Sequence, residues 1–374
     1  MRDMTMRPEI GESLSALASI KDEGITRCDV RKNDGNILVS YFDGEENLVK
    51  ASSYDAGPDV ADVIREYHAS WKQGDDGGAL RCLEQLILRD AVPQYVWHNL
   101  INRQYHIGNW NVSAGLAAAL GAYESRSFDP ADPFFAPDFI IIGTMKGGTS
   151  SLYNYLCYHP SVINRHPKEL HFFTINYQRG VKFYRRYFAQ KRKYSIIGEA
   201  SPSYFDWNTP VVAERIYEHL KNVKLILLLA NPVKRAVSQY YHDLRIRVGA
   251  DLGEDFVKEE DVLTVDRLRA DMESGDDNYI QAGHYVERMP YWKKFMDEGR
   301  FIVFTQSALA EDTNGVVREV YRFLGLEDIP VDIRRIRKAN VNKYPKPSED
   351  VLEFLQEVYR ESNEKLASEY GITF

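Results

Sequence analysis

Cysteine is scarce: three residues in 374, Cys28, Cys82 and Cys157, scattered and without metal-ligand spacing. That excludes a disulfide framework or a zinc ribbon and fits reduced thiols. Long apolar runs are also missing. The longest, "LILLLA" at Leu225–Ala230, is far too short to cross a bilayer. The opening "MRDMTMRPEIGESLSALASI" lacks the apolar stretch of a secretory leader. Nor is there an excess of positive charge, since 47 Lys and Arg against 55 Asp and Glu leave a net charge of −8. Nothing global points to nucleic acid, so any anion site must be a local basic patch. Together these absences predict a cytoplasmic protein with no transmembrane segment and no nucleic-acid partner. What is present, 44% apolar and 27% charged residues, is ordinary for a globular chain with a sizeable core. The length allows two or three domains.

Residues 1–56 are a small N-terminal segment of uncertain structure, in which "NILVSYFDGEENLVKAS" has the pattern of a hairpin turning at Asp43-Gly44. Residues 57–126 read as helical. "DVADVIREYHASWKQ", "GALRCLEQLILRD" and "VSAGLAAALGAYE" place apolar residues three and four apart, with short polar breaks between them. No fixed-period repeat stands out. This helical region is a candidate surface for protein contacts or oligomerisation. Three prolines in "SRSFDPADPFFAPDF" mark a linker over 127–137. From 138 to 374 the pattern changes. Strand-like runs "FIIIG", "SIIGEAS", "VKLILLLA" and "RFIVFTQ" alternate with helical stretches at 150–157, 208–220, 232–246, 285–298 and 314–324. Such alternation predicts an α/β domain, a parallel sheet flanked by helices. Ligands of such sheets bind beyond the carboxyl ends of the strands.

After the first of these strands comes "GTMKGGTSSL". Strand, glycine turn and helix aim backbone N–H groups and a positive helix end at an anion. Gly143 and Gly148 keep the spacing of a nucleoside-triphosphate loop, but Thr149 stands at the lysine position and the lysine is Lys146. After the second strand comes "GEASPSYF", and after the third "NPVKRAVSQYYH"; "HPKELHFF" lies between the first two.

These segments resemble the sulfotransferases that use 3′-phosphoadenosine 5′-phosphosulfate (PAPS), most closely the carbohydrate branch that modifies heparan sulfate. "GTMKGGTSSL" is similar to the family's 5′-phosphosulfate loop, "KELHFF" to its K-E-x-x-F-F segment, and "NPVKRAVSQY" to its 3′-phosphate segment. "GHYVERMPYW" and "VYRFLGL" follow in family order. The resemblance covers roughly residues 137–374. It implies the P-loop-like sulfotransferase fold and PAPS as co-substrate, without a metal. The acceptor would be a hydroxyl or amine of a saccharide, glycolipid or other small natural product. Lys146, Gly147, Gly148, Thr149 and Ser150 would hold the 5′-phosphosulfate. Lys146 would stabilise the charge that develops as the S–O bond breaks. Glu169 would be the general base, with Lys168 beside it and His171 as a rival base. Ser238 would bind the 3′-phosphate. The bland alternative for Lys168 and Glu169 is two surface charges ahead of the Phe172-Phe173 pair.

The sequence departs from the family at Ala230, where many members carry arginine before the N-P pair. Compensating cations could come from Arg235, or from "RRIRKANVNKYPKP", which supplies Arg337, Lys338 and Lys343 while Asn340 and Asn342 stand where the branch has lysine and arginine. Arg235 could equally form an ion pair within its helix. Glu199 is either a second acid–base group or a structural carboxylate. Tyr204 could pack against the nucleotide or the acceptor. His284 could face the cleft or sit in the core. The segment "YQRGVKFYRRYFAQKRKY", Tyr177–Tyr194, could hold an acidic saccharide or be an amphipathic helix with a wet basic face. Two other functions compete: a P-loop kinase, which Thr149 at the lysine position disfavours, and a catalytically inactive nucleotide-binding scaffold, which Ala230, Asn340 and Asn342 favour.

Overall fold

A computed structural model describes residues 4–5, 27–33, 36–42, 48–55, 60–88, 92, 94–125, 129–164, 167–249, 256–330 and 344–374. The chain divides into two compact units, one made of residues 1–136, 165–167 and 177–197, the other of 137–164, 168–176 and 198–374. The chain thus returns to the first unit after the second has begun.

In the first unit, β1 (Met4–Thr5), β2 (Arg27–Asn33), β3 (Asn36–Phe42) and β4 (Leu48–Asp55) form an antiparallel sheet in sequence order. The expected hairpin is the β3–β4 pair, running from Asn36 opposite Asp55 to Phe42 opposite Leu48. Its turn at Asp43-Gly44 lies outside the described residues. Strand β2, "RCDVRKN", escapes the sequence pattern because charges outnumber apolar residues in it.

Four helices follow: α1 (Val60–Gln73), α2 (Asp76–Leu88), α3 (Gln94–His106) and α4 (Trp110–Ser125). They bury Tyr67, Leu83, Trp97, Leu100 and Leu120. Helix α3 falls within the expected helical region 57–126 but was not singled out, since its stretch "QYVWHNLINRQYH" mixes polar groups into the apolar face. One of these, Gln104, is buried and donates to Asp76 at 2.7 Å.

Tyr177–Tyr194 folds as short helical turns rather than one amphipathic helix. Tyr184, Tyr187 and Phe188 are buried, and the Tyr187 ring meets Tyr105 edge-on at 6.2 Å. Three of its cations are anchored inside the same unit. Arg179 lies 4.3 Å above the Trp110 ring, Arg185 donates to the Ala131 carbonyl, and Lys191 donates to that of Ala136.

The second unit holds a five-stranded sheet in the order β6-β7-β5-β8-β9, from β5 (Phe139–Gly143), β6 (Val162–Ile163), β7 (Ile196–Ala200), β8 (Lys224–Leu229) and β9 (Phe301–Thr305). β5 pairs parallel with β7 and β8, and β8 with β9. β5 is buried along its whole length, which is why it reads as an unbroken apolar run. The expected helices appear as α5 (Thr149–Leu156), α7 (Thr209–His219), α8 (Pro232–Val248) and α10 (Thr313–Leu324), joined by the short α6 (Ser203–Asp206), by α9 (Val265–Ser274) and by the closing α11 (Glu349–Tyr370).

The expected helix 285–298 is not continuous. Two 3₁₀ turns, Tyr285–Glu287 and Met289–Trp292, precede a short α-helix at Lys293–Asp297. Pro290 lacks the N–H a helix needs and disfavours helical geometry at Met289. With β5 central, the carboxyl ends of β7, β5 and β8 lie side by side, and the loops that follow them build one cleft.

Candidate active site

The loop after β5 is set by close packing. Gly147 lies against β8 so tightly that a Cβ there would come within 2.7 Å of the Leu228 carbonyl oxygen. Gly148, the N-cap of α5, is left-handed at φ 93°, a conformation open to glycine without strain. Lys146 is also left-handed, at φ 63°. Thr144 donates its N–H to Leu228 O at 2.7 Å, Gly147 donates to Thr144 O at 3.0 Å, and Met145 donates to the Asp206 carboxylate at 2.7 Å. No side chain caps α5, so its first N–H groups are left for an anion.

The loop between β6 and β7 carries Lys168, Glu169 and His171. Lys168 Nζ bonds Glu169 Oε1 and donates to the Ala200 carbonyl at 3.1 Å. Glu169 Oε2 is 3.3 Å from His171 Nε2, and His171 Nδ1 is 2.7 Å from Ser203 Oγ. Burial alone would raise the Glu169 pKa. The His171 hydrogen bond and the Lys168 charge outweigh it and pull the carboxyl down to about 2. Glu169 is therefore ionised at neutral pH.

Behind this loop lies Glu199, fully buried at the end of β7. It accepts from Ser201 Oγ at 2.7 Å, Tyr204 Oη at 3.0 Å and the Leu170 N–H at 3.3 Å. Tyr204 Oη accepts the Phe172 N–H at 2.9 Å, and Ser201 Oγ accepts those of Leu170 and His171. This buried set fixes the backbone that carries Glu169 and His171.

Helix α8 supplies the third wall. Asn231 caps it, accepting from the N–H groups of Val233 and Lys234. Ser238 and His242 project from it into the cleft. Burial, then Lys146 and Arg245, push the His242 pKa down to about 4, so the ring is neutral at pH 7. Lys146 itself is lowered by burial and by Arg245, with Asp243 and Glu169 acting in the opposite direction.

One cavity of about 420 Å³ is lined by Lys146, Gly148, Thr149, Ser150, Glu169, His171 and Ser238. Met145, Ser151, Pro202, Ser203, Trp207, His242, Gln306 and Tyr344 complete its wall, and all of it lies in the second unit.

Several sequence candidates fall elsewhere. Arg235 is fully buried and donates to the Tyr279 carbonyl. Its long side chain turns away from the cavity to reach that carbonyl, beside the core that Tyr279 and Tyr359 form with this helix. Glu199 and Tyr204 are buried supports without a place in the cavity wall. His284 is half-buried with its ring 5.1 Å from Tyr359. Arg337, Lys338 and Lys343 lie outside the described residues. His242, Trp207, Gln306 and Tyr344 were not singled out from sequence. The signal for His242 was available, four residues after Ser238 on the same helical face.

Residues 136–366 match the family described as sulfotransferase domain. The chain belongs to that family. This removes the kinase alternative, and the relatives bear out the resemblance to the carbohydrate branch. Heparan sulfate glucosamine 3-O-sulfotransferase 3B1 of Mus musculus is 30% identical over 237 residues, 59% of this chain and 58% of its own length. A membrane-associated sulfotransferase of Dictyostelium discoideum is 43% identical over 112 residues, 29% of this chain and 23% of its own. Both alignments thus leave a large part of the relative unmatched. Among solved structures, a sulfotransferase from Alicyclobacillus acidocaldarius superposes with a TM-score of 0.52 at 25% identity, covering 64% of this chain and 97% of that one.

These relatives overturn one expectation. A cytoplasmic location was read from the missing leader and missing apolar runs, yet the similar proteins are a membrane-associated sulfotransferase and heparan sulfate enzymes. Among the described residues no helix is long and apolar enough to cross a membrane, but location does not follow from that.

Proposed function

We propose that this sulfotransferase moves a sulfuryl group from PAPS to a hydroxyl or amine of a saccharide, glycolipid or related small natural product. The observation that carries this reading is one cavity lined by Lys146, the start of α5, Glu169 and Ser238 together. The residues suit the donor. The uncapped helix start with Thr149 and Ser150 fits a 5′-phosphate, and Ser238 on the opposite wall fits the 3′-phosphate. Further cations for that second phosphate fall to Arg337, Lys338 and Lys343. They precede Tyr344, which lines the cavity and stacks on Tyr241 of α8 at 4.8 Å.

PAPS supplies the sulfuryl group and departs as 3′,5′-ADP. Glu169, ionised and partly exposed, takes the proton of the attacking acceptor. Lys146 neutralises the phosphate oxygen from which sulfur separates, a charge larger in the transition state than before it. Lys168 keeps Glu169 ionised until the acceptor arrives. Trp207, about half exposed at the cavity wall, offers a flat apolar face to a sugar ring at the acceptor end.

Mass spectrometry of saccharide and glycolipid pools incubated with PAPS tests this reading, with calorimetry of 3′,5′-ADP alongside. The expected result is a one-sulfate mass gain in a saccharide-containing acceptor and saturable 3′,5′-ADP binding. Nucleotide binding without transfer to any pool would instead support the inactive scaffold.

A further inference from the structure

Asp206 ends α6, just before the cavity residue Trp207. It is buried and does not line the cavity. Its Oδ2 accepts the Met145 N–H at 2.7 Å, while Oδ1 is buried without a hydrogen-bond donor. Burial pushes its pKa up to about 6, against the pull of Arg235, the Met145 N–H and Arg288. A buried polar side chain with a single hydrogen bond is a costly way to fill space, since an apolar side chain would spare the desolvation. Local rules broken in this manner concentrate at functional sites.

The single bond goes to the residue immediately before Lys146. A non-glycine residue at φ 63° is strained and persists only where its surroundings hold it. On one side the loop is held by β8, through Thr144 and Leu228. On the other it is held at Met145 by Asp206.

Resting on the PAPS reading above, we propose that Asp206 is a positioning residue for sulfuryl transfer: its carboxylate oxygen, by accepting the Met145 N–H, fixes the left-handed turn that directs Lys146 into the cleft. The role belongs to the acceptor atom and its place, not to the charge. Arg235 and Arg288 offset that charge from behind, so the phosphate loop gains a rigid anchor beside an anion site.

The test separates acceptor from charge. Asp206→Asn keeps an oxygen at the same distance and removes the charge. Asp206→Glu keeps the charge and shifts the oxygen by one methylene. Asp206→Ala removes both. Each is measured for kcat, for 3′,5′-ADP affinity and for melting temperature in the full chain. Misplacing a catalytic group by about 1 Å can cost about a hundredfold. Asp206→Ala and Asp206→Glu should therefore lose tenfold or more in kcat, about several times their loss in 3′,5′-ADP affinity, with Asp206→Asn within about threefold of wild type. Activity should not follow melting temperature across the set. Should Asp206→Ala fail to fold, the Asn and Glu variants decide alone. The inference is overturned if Asp206→Glu or Asp206→Ala keeps wild-type kcat, or if Asp206→Asn loses as much as Asp206→Ala. A wild-type chain that neither binds 3′,5′-ADP nor transfers sulfate would instead defeat the PAPS reading itself.

Discussion

Lys146 carries its ammonium on a strained turn, half enclosed and with its pKa lowered by burial and by Arg245. In the proposed mechanism a cation so placed matters most when negative charge builds on the leaving phosphate oxygen. Lys146→Ala should lower the sulfate-transfer rate by about 10²–10³-fold, with far-UV circular dichroism unchanged. A rate near wild type would remove Lys146 from the chemistry. Glu169 poses a sharper question, because Lys168 and His171 hold its carboxyl near a pKa of about 2 and so make it a weak base at rest. Glu169→Gln keeps size and hydrogen bonding and removes the basicity. Turnover should fall by about 10²-fold or more, while calorimetry finds 3′,5′-ADP affinity nearly intact. Unchanged turnover would pass the role to His171, which lines the same cavity.

Helix α8 shows how one element serves two environments. Ser238 and His242 face the cavity, and Arg235 faces the core. A motif read as a string treats Arg235 and Ser238 alike. Three residues leave Arg235 about 60° around the helix from Ser238, at the border of the two environments, and its guanidinium reaches inward to the Tyr279 carbonyl. Strands β5 and β8 were legible because burial on both faces leaves an unbroken apolar run. Strand β2 was not, since charges outnumber apolar residues in it, and helix α3 was expected only as part of the helical region 57–126 because polar groups interrupt its apolar face. Lys146 stood out as a candidate through the glycine turn after β5, whereas Glu169 and Ser238 became candidates only through the resemblance to the family; the fold brings all three to one cavity. Trp207 and Gln306 come from positions whose role depends on how distant loops meet.

On the proposed PAPS reading, with Arg235 committed to the core, a 3′-phosphate would need cations from elsewhere. If Arg337 and Lys338 supply them, each charge-assisted contact contributes about 1.5–3 kcal/mol. Arg337→Ala combined with Lys338→Ala should then weaken 3′,5′-ADP binding about tenfold or more and leave 5′-AMP binding almost unchanged. Equal losses for both nucleotides in calorimetry would exclude this stretch as the reader of the 3′-phosphate.

At the scale of the whole molecule, the family domain and the compact unit are not the same object. The family match spans 136–366 without a break, yet 177–197 belongs to the first unit. Tyr184, Tyr187 and Phe188 are almost wholly buried there. Expressed as residues 137–374 alone, the protein would leave those three aromatics without their cover, at about 1.5–3 kcal/mol for each side chain returned to water. Such a fragment should aggregate or melt well below the full chain in scanning calorimetry. A fragment as stable as the full chain would mean that 177–197 does not need the first unit.

The same threading sets an order of events during synthesis. Residues 1–136 leave the ribosome first but lack a piece of their own interior until residue 197 has followed. At translation rates of about 5–20 residues per second, the roughly sixty intervening residues impose a wait of about 3–12 s. Over that interval the nascent first unit exposes the apolar surface that Tyr184, Tyr187 and Phe188 will later occupy. This is the stage at which a holdase chaperone has something to bind.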